Sequence, residues 1–74
     1  MAVSIVSVNE SYHLPRDWFL SDTDRVFIPV KHIMGVFPSS YKNKCELRYM
    51  THDGVSSDVD ITATLEEMVA VLRA

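Results

Sequence analysis

The sequence predicts an α+β domain: a small curled antiparallel sheet of four to five strands, partly barrel-like, with one C-terminal helix packed on it. Three observations predict it. Residues 44–51 place Cys45, Leu47 and Tyr49 on one side and Lys44, Glu46, Arg48 and Met50 on the other, the period of two of a half-buried strand. Asp53-Gly54 follows as a strong hairpin signal. Thr64-Leu65-Glu66-Glu67 then fits a helix capping box ahead of an apolar stripe. Strands followed by a helix need no parallel crossover.

In chain order, residues 3–8 are β-branched and serine-interleaved, which suits a pleated strand. Residues 9–23 break that pattern. Pro15 excludes a central strand, and Asp17-Trp18-Phe19-Leu20 is too short for more than one helical turn. The stretch reads as an aromatic-bearing loop whose Trp18 and Phe19 plug one end of the core. Residues 25–30 return to strand character, with Pro29 placing them at an edge or near a bend, because proline cannot donate to a ladder. Residues 33–37 continue after a brief turn, and Gly35 inside that apolar run suggests a bulge or a sharp coil that curls the sheet towards a barrel. Pro38-Ser39-Ser40 punctuates the chain before the strand at 44–51. Beyond the hairpin turn, Val55, Val59 and Ile61 make the return strand, with Asp58 and Asp60 facing water. In the helix, Leu65, Met68, Val69 and Leu72 fall at i, i+3, i+4 and i+7 and need a sheet face to cover them.

Seventy-four residues hold one domain, 1–74, and a domain this small hides only about 60% of its unfolded surface, which leaves little room for a catalytic chamber. A composition of 47% hydrophobic and 23% charged residues is that of a folded chain. The net charge of −3 repels a nucleic-acid backbone at long range. No apolar run approaches the ~20 residues that cross a bilayer, so no membrane association is expected. Residues 1–8 lack a basic region and do not read as a secretory signal, and Asn9-Glu10-Ser11 carries little weight as a glycosylation site without one. The single Cys45 makes no internal disulfide and points to a reducing cytoplasm, of a cell or of an infected host cell.

The order Phe27-Ile28-Pro29-Val30-Lys31-His32-Ile33, then Cys45-Glu46-Leu47, Asp53-Gly54 and Thr64-Leu65-Glu66-Glu67-Met68, resembles the first half of LytTR-type DNA-binding domains. It is also similar in layout to small FlbD-like flagellar proteins. The resemblance spans residues 27–72 and implies a strand, a glycine-turn hairpin and a capped helix. The 74 residues lack the later strands and basic loops through which LytTR domains reach DNA, so it implies no DNA-contacting residue here.

Chemistry is sparse. His13, His32 and His52 are widely spaced and Cys45 stands alone, so no local metal-ligand signature exists. Cys45 lies on the apolar side of its strand and reads as a core thiol. Two glycines cannot build a phosphate-cradling loop, and Asp58/Asp60 and Glu66/Glu67 are accounted for by a wet strand face and a helix N-terminus. No enzyme, cofactor, metal site or catalytic residue is expected. Charge is more informative: residues 25–48 carry five bases against Glu46, whereas the rest of the chain carries nine acids and two bases. Lys31, Tyr41, Lys42, Lys44, Arg48 and Tyr49 are therefore the candidate partner-binding residues, since aromatics among bases anchor proteins or stack on nucleobases. The acids Asp17, Asp22, Asp24, Asp53, Asp58 and Asp60 are a second candidate surface for a basic partner. The sequence thus predicts a non-enzymatic module that binds and modulates another protein, a regulatory or inhibitory protein of viral or mobile-element origin. Self-association through an edge strand is a further expectation. The alternative is a nucleic-acid-binding transcriptional regulator using the basic and aromatic residues.

Overall fold

A computed structural model describes residues 2–9 and 15–73. They form two three-stranded antiparallel sheets and a C-terminal helix. Sheet A is the meander β1 (Val3–Asn9), β2 (Pro15–Ser21), β3 (Val26–Pro29), and sheet B is the meander β4 (Ile33–Pro38), β5 (Cys45–Met50), β6 (Ser56–Ile61). A single 3-10 turn, Val30–His32, carries the chain from one sheet to the other, and α1 (Leu65–Arg73) follows β6. The α+β class is as the sequence predicts. Six strands in two open sheets replace the predicted four or five in one barrel-like sheet, and neither sheet closes.

The extra strand is β2, in the stretch read as a loop. Pro15 is its first residue, opposite Asn9 at the end of the ladder, where a missing N–H is tolerated. From there the chain alternates as a central strand should, with Phe19 and Ser21 fully buried. Phe19 is therefore a mid-core residue and not an end plug, while Trp18 points to the other face. The expectations for residues 10–14, including His13 and part of the Asn9-Glu10-Ser11 motif, lie outside the described residues.

Other local signals appear where the sequence puts them. β3 ends on Pro29 at an edge of sheet A. The β4–β5 register shifts between Ile33 and Gly35, a bulge at the predicted glycine. The β5–β6 turn closes with Gly54 N–H donating to the Thr51 carbonyl at 3.0 Å, and Gly54 takes φ +80°, which a side chain would strain. Val55 lies outside β6 and is exposed, so the inward apolar residues of that strand are Val59 and Ile61, with Ser57 on the same face.

One core joins all the layers. Val3, Phe19 and Ile28 come from sheet A, Cys45, Leu47 and Ile61 from sheet B, and Met68 and Val71 from α1, with Ala63 in the link before the helix. Each large side chain buried here contributes about 1.5–3 kcal/mol. The helix lies against β1 and β4, one strand of each sheet. Its buried face is Met68 and Val71, with Leu72 half-buried, whereas Leu65 and Val69 are each 38% exposed. The apolar stripe is thus rotated from the predicted one, because the helix seats between two sheets and not flat on one.

An acid adds a polar tie between the sheets. Asp24, in the β2–β3 turn, accepts hydrogen bonds from Ser21 Oγ (3.0 Å), Thr62 N–H (2.7 Å) and Thr62 Oγ1 (3.0 Å). Residues 38 positions apart are tied across the two sheets by one carboxylate. Desolvation pushes the Asp24 carboxyl up, but the Thr62 and Ser21 donors and the nearby Lys44 charge outweigh it and hold it below its ordinary 3.8.

Candidate functional site

Strand register sorts every side chain onto an inner or an outer face. On sheet B the outer face carries charge among apolar side chains: Glu46 and Arg48 of β5 lie opposite Asp60 and Asp58 of β6, beside the exposed Phe37 and Met50. Arg48 Nε donates to Asp58 Oδ1 at 2.9 Å, and the guanidinium lies 4.8 Å from the centre of the Phe37 ring. That hydrogen bond, with the Asp58 charge, raises the Arg48 pKa further. Arg48 is thus paired with Asp58, while Glu46 and Asp60 lie opposite one another as two acids and leave this face net negative.

Sheet A is different, because both of its faces are apolar. Pairing of Val6 with Trp18, Leu20 with Phe27 and Trp18 with Pro29 puts these residues together on the side away from the core. Val8 and Arg16 extend the patch along the same two strands. None of its apolar members belongs to the core cluster or packs against it. Phe27 is 48% exposed and stacks on Trp18 with ring centres 4.5 Å apart and planes 12° from parallel. The Trp18 Nε1 donor is shielded from solvent and has no acceptor among the described residues, a shortfall of about 1–3 kcal/mol.

Beside this face runs a groove of about 520 Å³. It is lined by all four residues of β3, by Trp18, Arg25 and His32, and by residues 49–52 at the end of β5 and the following turn. Neighbouring strand residues point to opposite faces, so a groove lined by four in succession follows the strand's edge. Among the described residues β3 pairs with β2 alone, and its other edge opens on this groove.

The candidates named from sequence are spread over the molecule. Tyr41, Lys42 and Lys44 lie exposed in the loop between β4 and β5, at the Pro38–Cys45 end of sheet B. Lys31 lies in the 3-10 turn, at the Ile33–Tyr49 end of the same sheet, about 15 Å along the strands. Arg48 sits on the outer face of sheet B, and Tyr49, next in sequence, turns inward to pack against the core and line the groove. The structure gathers no single basic and aromatic patch from the six. Of the acids, Asp24 is the inter-sheet clasp and Asp58 the partner of Arg48. The Trp18, Leu20 and Phe27 patch is not evident from sequence while residues 15–21 read as a loop. The alternation Arg16, Trp18, Leu20 against Asp17, Phe19, Ser21 was the available signal.

Among the described residues no three of His, Cys, Asp and Glu converge as metal ligands. Cys45 is fully buried, and desolvation, with the charges of Asp24, Glu67 and Asp60, raises its thiol pKa, the opposite of nucleophile activation. No helix among the described residues is long and apolar enough to cross a membrane. Known protein families, curated proteins and solved structures were compared with the chain. None matches.

Proposed function

We propose that this chain is a small non-enzymatic module that binds another protein and modulates it through the outer face of sheet A. One observation carries the reading: the two sheets share a single core, and outside it sheet A gathers half-buried Val6, Trp18 and Leu20 under the exposed Phe27, where sheet B sets Glu46, Arg48, Asp58 and Asp60 among its exposed Phe37 and Met50. An apolar patch rich in aromatics and framed by polar side chains is the composition of a binding surface, since aromatic anchors dominate interface energetics. The nucleic-acid reading draws less support, because the lysines divide between the two ends of sheet B and Arg48 is paired with Asp58.

A photoreactive amino acid placed at position 20 or position 46 in the producing cell tests the proposal. A discrete adduct from position 20, absent from position 46 and lost when Phe27→Lys is added, is the expected result. Equal labelling from both positions, or none from position 20, overturns it.

A further inference from the structure

We infer that the groove along β3 receives an extended acidic segment of the partner, which adds to sheet A as a fourth strand. This rests on the protein-binding reading and names the partner's chemistry. β3 is an edge strand whose free side opens on the groove along its whole length. Four residues span about 13 Å, enough for main-chain pairing with a short extended peptide. Pro29 lacks an N–H, so the donors available on β3 lie within residues 26–28. The stacked Trp18 and Phe27 rings beside that edge offer apolar contact to alternate side chains of the incoming strand.

Charge selects the occupant. The groove is lined by Arg25, His32 and His52 and by no carboxylate, in a chain whose net charge is −3. His52 Nε2 lies 3.2 Å from Asp53 Oδ1, and that acid stands outside the groove lining. An acidic peptide therefore meets donors and a permanent guanidinium there, whereas a basic one meets no counter-charge. A nucleic-acid strand fits less well, because it has no peptide main chain with regularly spaced amides to pair with the β3 edge and a longer polyanion meets the chain's surplus of acids.

Trp18 is the only tryptophan and lines the groove, so its fluorescence reports occupancy directly. Three probes are titrated into the full chain: a heptapeptide alternating Glu with Val or Thr, the same peptide with Lys for Glu, and a ten-residue oligothymidylate. The acidic peptide is expected to shift Trp18 emission saturably and to move the backbone amide resonances of residues 26–28. The lysine peptide should bind about tenfold more weakly or worse. Arg25→Gly should weaken the acidic peptide about threefold. Arg25 already holds φ 54°, a backbone that glycine takes without strain, so this variant keeps the turn. His52→Gln, at an exposed position, gives a second reading that leaves the fold intact. Equal binding of the two peptides, binding of the oligonucleotide alone, or no binding of any probe at about 1 mM overturns the inference. In each of those cases crosslinking from position 20 still judges the outer-face reading separately.

Discussion

Asp24 ties the two sheets together through a single side chain. Its carboxylate takes three hydrogen bonds, two of them from Thr62 beyond β6, and a charged acceptor of this kind is worth about 1.5–3 kcal/mol per bond. Asn in its place turns an N–H₂ towards at least one of those donors, so Asp24→Asn should cost about 2 kcal/mol in chemical denaturation. The pH dependence follows from the lowered carboxyl. A group more acidic when folded stabilises fully above its unfolded value, here 3.8, and loses that contribution as pH falls through the lower folded value. Melting temperature measured from pH 6 to pH 2 should fall less steeply in Asp24→Asn than in the parent chain. A parallel fall would show that other acids govern the acid limb. None of this was legible in sequence, where Asp24 was one acid among several in a supposed loop; its partner lies 38 residues away, and only the fold brings the two together.

At the scale of elements, local chemistry was legible and tertiary placement was not. The capping box forms as its residues dictate: Glu67 N–H donates to Thr64 Oγ1 at 3.2 Å and Thr64 N–H donates to Glu67 Oε1 at 3.4 Å. Thr64→Ala should therefore cost about 1 kcal/mol, and lower the melting temperature by about 4–8 °C in a domain of this size. No change in melting temperature would mean that the helix is held by Met68 and Val71 alone. The bulge at Gly35, the turn at Gly54 and the edge proline at Pro29 were legible for the same reason, since each is set by backbone geometry within a few residues. β2 was missed because a proline was weighed by its presence and not by its position, first in the strand. The helix stripe was misplaced because its buried face depends on where two sheets meet, which no helical periodicity encodes. With β2 misread, the apolar outer face of sheet A was invisible as well.

Taken whole, the molecule has two groups of apolar residues that matter to its function, besides exposed side chains such as Phe37 and Met50 of sheet B and Leu65 and Val69 of the helix. One is the shared core, which every layer feeds. The other is the outer face of sheet A, which stands apart from that core and supplies the Trp18–Phe27 stack beside the β3 groove. The functional reading depends on that second surface being free of structural duty. Adjacent residues of one strand test this most directly: Phe19 is fully buried, and Leu20 points the opposite way. Thermal unfolding of Phe19→Lys and Leu20→Lys, followed by circular dichroism, compares the two faces under identical conditions. The account predicts that Phe19→Lys abolishes cooperative unfolding, while Leu20→Lys keeps it at a cost of about 1 kcal/mol, in proportion to partial burial. Equal loss of the folded state in both variants would show that the outer face is core after all, and would contradict the account.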